Sequence, residues 1–175
     1  MKIAVLCGGL SNERDVSISS GTGITRALRS LGHRAALIDL FLGDAQMAAD
    51  PDRAFTSSAD DKLYAVREDE PDLEALRESR GGRELIGPGV LGLCRCADIA
   101  FLALHGAEGE NGKLQAYLDL CGIPYTGSGY LGSAIAMNKE LTKTLFAQAG
   151  ISAPGGVTLR RGEPVTGEIE FPCVV

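Results

Sequence analysis

One stretch limits what this chain can fold into: Asp98 to Lys139, DIAFLALHGAEGENGKLQAYLDLCGIPYTGSGYLGSAIAMNK. It opens with an apolar run, Ile99 to Leu104, long enough for a strand and too short for a membrane span. The run stops at His105-Gly106, and a polar, glycine-punctuated turn from Ala107 to Gly112 leads into a helical pattern. Leu114, Tyr117, Leu118 and Cys121 fall at i, i+3, i+4 and i+7, one face of a helix. A second extended piece, Ile123 to Thr126, breaks at Gly127-Ser128-Gly129, and a small-residue helix carries the chain to Asn138-Lys139. Strand, glycine turn, helix is the layout in which α/β proteins place ligands, outside the carboxyl end of a parallel strand.

The N-terminal residues supply a matching unit. Lys2 to Cys7 is a near-continuous apolar run, suited to a strand covered on both faces. Gly8-Gly9 breaks it, Ser11 or Asn12 can cap the next element, and Val16 to Leu31 reads as a helix with Ile24, Ala27, Leu28 and Leu31 at core spacing. Gly32 suits the residue after a helix end, and Arg34 to Leu40 gives a second strand, parallel to and beside the first. The expected fold is α/β: a doubly wound, mostly parallel sheet of about four strands, followed by the start of a second domain.

From Gly43 to Gly89 charge and small polar residues dominate, with a strand-like patch at Leu63 to Val66 and a short helix at Pro71 to Arg80. An acidic docking surface is one reading of this segment. A solvated insertion is the plainer one, and it is the expectation. Beyond Lys139 the helix is expected to continue, with Leu141, Leu145 and Ala149 on one face and Gly150 ending it. Pro154 to Arg160 and Phe171 to Val175 read as strands around a turn at Gly162-Glu163-Pro164.

Composition removes several classes of function. A net charge of −6 without a basic stripe argues against a nucleic-acid binder. No apolar run approaches about 20 residues, and Met1-Lys2 leads directly into a strand, so neither a membrane span nor a signal peptide is expected. The five cysteines (Cys7, Cys94, Cys96, Cys121, Cys173) lie mostly in apolar segments and read as reduced, buried thiols of a cytoplasmic protein. Cys94-Arg-Cys96 is assigned to packing: a metal site wants about four suitably spaced ligands, the whole chain has two histidines, His33 and His105, and no metal ligand is assigned.

Three segments, ALHGAEGENGKLQ, GIPYTGSG and SAIAMNK, stand in fixed order, with GGLSNERDVS ahead of them. Together they closely resemble the D-alanine–D-alanine ligases of the ATP-grasp superfamily. The resemblance implies a Rossmann-like pre-ATP-grasp domain over residues 1–137, with 43–89 a variable insertion. Residues 138–175 would then be the truncated beginning of the ATP-grasp central domain. The implied activity is ATP-dependent joining of D-alanine to D-alanine for peptidoglycan synthesis. In it the γ-phosphoryl of ATP passes to the carboxylate of the first D-alanine, and the amine of the second attacks the acyl phosphate. ATP and magnesium would be bound mainly by domains absent from this chain, so the 175 residues alone are expected to be inactive. For the full-length enzyme the resemblance implies a cytoplasmic homodimer, with no membrane or nucleic-acid partner.

The resemblance also assigns residues. Glu13 aligns with the glutamate that meets the ammonium of the first D-alanine and is the one residue expected in the catalytic site proper. An ammonium taken out of water needs an opposite charge in contact. The plain alternative is a helix-start acid paired with Arg14 or Lys2. Val16 and Ser17 match neighbouring substrate-site positions, with Val16 as apolar wall. His105 matches a histidine near the first substrate, although a lone histidine also commonly holds its own loop. Glu110 is expected to order that loop. Lys139 matches the lysine that reaches the ATP phosphates, against the plain reading of a solvated charge. Asn111 and Asn138 stand where the family usually has Asp; they keep cap and turn hydrogen bonds but remove a charge.

Three further classes stay open at this level. A Rossmann-like mononucleotide-binding module lacks its Gly-x-Gly-x-x-Gly after Val5 and has an acid where phosphates would sit. Another ATP-grasp ligase is disfavoured by the PYTGSG segment. A non-catalytic interaction domain is the third.

Overall fold

The computed structural model describes residues 1–56, 66 and 69–164. They divide between two compact units, Met1–Ala134 and Ile135–Val175, and each is described by itself.

The first unit is built on an open parallel sheet. β1 (Lys2–Cys7) pairs with β2 (Arg34–Asp39), Ile3 opposite Ala35 and Leu6 opposite Ile38, and on its other side with β3 (Ile99–Leu102), Ile3 opposite Ile99. The strand order is β2-β1-β3. Alternation along β1 sends Ala4 and Leu6 to one face and Ile3 and Val5 to the other. Helix α1 (Arg14–Ser30) covers the second face through Ile24 and Leu28. It comes close because its sheet side is small: a Cβ on Gly21 would lie 2.7 Å from Cys7 Cβ.

The described part of the 43–89 segment is mostly exposed or half-buried and carries the short helix expected near its end, but it also contributes to the core. It begins with α2 (Ala45–Ala49) and α3 (Pro51–Ala54), capped by Asp44 and Asp50, and ends with α4 (Leu73–Arg80), capped by Asp72. Ala54 and Phe55 are 4% and 2% exposed and join the core under Ala4, Leu6 and Ile38. An isolated Phe in a polar run carries no periodicity, so local pattern missed it. Most of the strand-like patch at Leu63 to Val66 lies outside the described residues; Val66 itself is exposed. The same core face receives α5 (Val90–Cys96), a helix too short to show a period, through Val90, Leu93 and Cys94. Cys7 and Cys94 are buried as expected, Cys121 is half-buried, and Cys96 is exposed.

After β3 come α6 (Ala107–Glu110), where only a turn was expected, and α7 (Lys113–Leu120). Leu114 and Leu118 are buried against the face opposite α1, whereas Tyr117 is 40% exposed and Gln115 is buried in its stead. Helices on both faces make the unit doubly wound. The fourth strand is reduced to a single parallel bridge between Ala100 and Tyr125, with Ala100 N–H donating to Pro124 O and Thr126 N–H to Ala100 O.

Helix α8 (Tyr130–Met137) leads to Asn138. In the second unit the helix does not run on through this residue. Asn138 is the N-cap of a new helix, α9 (Lys139–Gln148), its side chain accepting from Leu141 N–H at 3.0 Å. Gly150 follows with φ of 70°, ending α9 as expected. Pro154 to Arg160 is exposed and forms no strand; among the described residues it has no partner to pair with. The turn at Gly162-Glu163-Pro164 is present, with Glu163 N–H donating to Arg160 O. Phe171 to Val175 lies outside the described residues.

Candidate functional site

β1 is followed by a helix on one face of the sheet, and β3 by α7 on the other. Two neighbouring strands whose connections leave in opposite directions part their loops and open a crevice at their carboxyl ends. A small open cleft lies there. Gly8, Gly9, Leu10 and Ser11 line it from the β1 side. Leu104, His105, Gly106, Glu108 and Gly109 line it from the β3 side, and Leu40 and Leu85 complete it.

The β1–α1 loop is held by main-chain and buried side-chain bonds. Gly8 and Gly9 take φ of 68° and 79°, the left-handed region that favours glycine. Ser17 is fully buried; its Oγ accepts the Gly8 N–H at 2.9 Å and donates to Ala103 O at 2.8 Å, tying the ends of β1 and β3 to α1. Its hydroxyl is therefore committed to the backbone, a positioning role where substrate contact was expected. Val16, one residue earlier, is 44% exposed. The expected Ser11 or Asn12 cap is not made. Glu13 occupies the N-cap position without a side-chain cap bond, and Ser11 Oγ instead donates to His105 O at 2.9 Å.

Glu13 meets the cleft at Gly106. That glycine has φ of 66°, and a Cβ there would come within 2.7 Å of Glu13 Oε2. Neither cation of the plain alternative pairs with Glu13. Arg14 is ion-paired to Asp39, and Lys2 Nζ lies 2.9 Å from Asp52. Among the described residues the Glu13 carboxylate makes no hydrogen bond or ion pair, although it stands at the positive end of a 17-residue helix. His105 Nε2 lies 3.3 Å from Ser20 Oγ, so the ring is tied to α1 while its residue lines the cleft.

The loop after β3 is ordered by residues other than Glu110, which is exposed. Asn111 Oδ1 accepts from Lys113 N–H at 3.1 Å, and Gln115 Nε2 donates to Gly109 O at 2.8 Å. Both asparagines that replace the family's usual aspartates thus keep a backbone hydrogen bond. Sequence reasoning missed Gln115, Asp39 and Leu85. Gln115 stands in the Gly-Lys-Leu-Gln part of the family segment, but a buried glutamine has no periodic signature. Lys139 lies in the second unit, exposed, at the first position of α9. Among the described residues no group of three or more His, Cys, Asp or Glu side chains is placed to hold a metal. Nor is any helix among them long and apolar enough to cross a membrane.

An open parallel sheet with helices on both faces and a cleft at its switch point, lined in part by His105, defines a doubly wound domain of the α/β class. A family model described as D-ala D-ala ligase N-terminus matches residues 2–128. The chain is 46% identical to a D-alanine–D-alanine ligase of Lacticaseibacillus casei, over all of this chain and 50% of that protein. It is 37% identical to one of Geobacter sulfurreducens, over 99% of this chain and 42% of that protein. The crystal structure of the D-alanine–D-alanine ligase from Bacillus anthracis complexed with ATP superposes with a TM-score of 0.58 at 26% identity, covering 95% of this chain and 40% of that one. The chain belongs to the D-alanine–D-alanine ligase family, and corresponds to its N-terminal part. It spans about half the length of the curated relatives it matches.

Proposed function

We propose that this chain is the substrate domain of an ATP-dependent ligase that joins D-alanine to D-alanine for peptidoglycan synthesis in the bacterial cytoplasm. The observation that carries the reading is the Glu13 carboxylate, unpaired among the described residues and set against Gly106 at the mouth of the cleft. A carboxylate without a cation, at the switch point of an α/β sheet, suits the ammonium of an amino acid. In this reading Glu13 holds that ammonium and Val16 supplies apolar surface. Ser17 fixes the loop, and His105 borders the bound molecule while anchored by Ser20. Lys139 supplies one positive charge to the ATP phosphates. ATP and its magnesium are assigned mainly to parts of the enzyme outside this chain, and the working form to a homodimer.

Steady-state kinetics on the full-length enzyme test the assignment. Glu13→Gln keeps the shape but sets a neutral amide against the ammonium. The expected loss is about 2 kcal/mol, roughly thirty-fold in binding, at the low end of the range because Glu13 is exposed. It should appear in the KM for the first D-alanine with the ATP KM nearly unchanged, and Lys139→Ala should show the reverse. Equal effects of Glu13→Gln on both substrates would reduce Glu13 to a helix-start acid.

A further inference from the structure

We infer that Leu85 is a specificity-determining residue of the cleft, the part of its wall that limits the side chain of the amino acid held by Glu13; this rests on the ligase reading above. The apolar lining is Leu10, Leu40, Leu85 and Leu104. Three of these four leave the sheet directly, just beyond β1, β2 and β3. Leu85 comes from elsewhere, on the limb by which the 43–89 segment returns to the fold.

That limb is seated on backbone. Gly87 N–H donates to Leu40 O at 2.8 Å, and Asp44 N–H donates to Pro88 O at 3.0 Å. Gly43 and Gly87 pass so closely that a Cβ on Gly87 would lie 2.5 Å from Gly43 N. Arg80 Nη1 donates to Phe41 O at 2.7 Å, and its guanidinium stands 4.2 Å from the centre of the Phe41 ring. Ile86 packs against the core beneath the sheet, whereas Leu85, one residue earlier in the same bend, lines the cleft. The cleft offers an amino acid whose ammonium lies at Glu13 both polar lining, Ser11, His105 and Glu108, and these leucines. Its side chain belongs against the leucines. A methyl fits against a fixed leucine wall; an ethyl needs volume that Leu85 fills.

The test uses the full-length enzyme with ATP and an equimolar mixture of D-alanine and D-2-aminobutyrate, the dipeptides being separated by chromatography and the two mixed isomers told apart by their fragment ions in tandem mass spectrometry. In Leu85→Ala the ratio of D-2-aminobutyryl-D-alanine to D-alanyl-D-alanine should rise roughly tenfold over the wild type, the scale of one methylene in an apolar pocket. Leu85→Val should move it less in the same direction, and Leu85→Met should leave it near the wild-type value. The ratio of D-alanyl-D-2-aminobutyrate to D-alanyl-D-alanine, which reports the second amino acid, should stay put. A ratio unchanged in both Leu85→Ala and Leu85→Val, with lowered thermal stability, would make Leu85 a packing residue and overturn the inference alone. A wild type that forms no D-alanyl-D-alanine would overturn the ligase reading and the inference together.

Discussion

Arg14 and Asp39 meet as a two-pronged ion pair, their side chains only 9% and 19% exposed. The pair is embedded in backbone: Arg14 Nη1 also donates to Gly9 O at 2.7 Å, and Asp39 Oδ1 accepts the N–H groups of Phe41 and Leu42, each at 2.9 Å. One carboxylate and one guanidinium thus join the end of β2, the glycine loop after β1 and the first turn of α1. Gly8 has to be glycine beside them, because a Cβ there would lie 2.5 Å from Asp39 Oδ2.

Asp39→Asn should destabilise the protein by about 3 kcal/mol, since breaking a buried pair leaves a guanidinium without its counter-charge. Urea denaturation reads this as a lowered midpoint with an unchanged slope. Asp52→Asn is the control. Asp52 is bonded by Lys2, which holds its carboxyl below the usual range, but it is fully exposed, and its removal should leave the midpoint where it was.

Two hydroxyls on the sheet side of α1 should respond with opposite signs. Ser17→Ala strands the buried Gly8 N–H and Ala103 C=O and should cost about 3 kcal/mol. Thr25 Oγ1 is buried and, among the described residues, has no hydrogen-bond partner. Thr25→Val replaces it with a methyl of the same shape, and should be neutral or stabilising by up to about 1 kcal/mol. Both are read by chemical denaturation; destabilisation by Thr25→Val would mean that the hydroxyl is satisfied after all.

Phe55→Ala should cost about 3 kcal/mol, the ordinary loss for truncating a buried phenylalanine. Deleting residues 50–61 should abolish cooperative thermal unfolding, because Ala54 and Phe55 leave with it. A retained sharp transition would restore the view of this segment as a solvated embellishment.

Burial, together with the nearby Cys121, pushes the Cys94 thiol up to about 11 from 9.0. Above pH 9 the unfolded chain releases this proton more readily than the folded one, so the folded state binds more protons and stability falls as pH rises. Between pH 9 and 11 the loss is on the order of 2 kcal/mol. Comparing the alkaline arm of the stability curve with that of Cys94→Ala isolates it: the variant should be flatter. At neutral pH, iodoacetamide should label exposed Cys96 well before Cys94, which peptide mass spectrometry resolves.

The elements with strong local chemistry were legible from sequence. β1 shows as an unbroken apolar run, Gly32 and Gly150 mark helix ends, and Glu13 and His105 flank glycine turns at strand ends. Less legible was anything carried by pairs distant along the chain. Arg14 and Asp39 lie 25 residues apart, and neither has a neighbour that announces the other. The contact face of α1 was misplaced for a related reason. Apolar spacing put Leu31 inside, where it is 73% exposed, while the closest approach to the sheet is made by Ser17, Gly21 and Thr25, which score as polar or neutral. Leu85 was hidden inside a charged segment, and only the backbone seat at Gly43 and Gly87 brings it to the cleft.

The order β2-β1-β3 also bears on how the protein assembles. β2 finds β1 across a single helix, with Lys2 opposite Arg34, whereas β3 returns to the other edge of β1 only at Ile99, opposite Ile3. The longer closure costs more entropy before any contact repays it, so β1, α1 and β2 are expected to form a unit first and β3 to dock onto it later. Because the cleft lies between the ends of β1 and β3, it is completed only at that last step. An amino acid held there would therefore act as a clamp on the slowest join in the fold, slowing unfolding at the edge where the chain closes last.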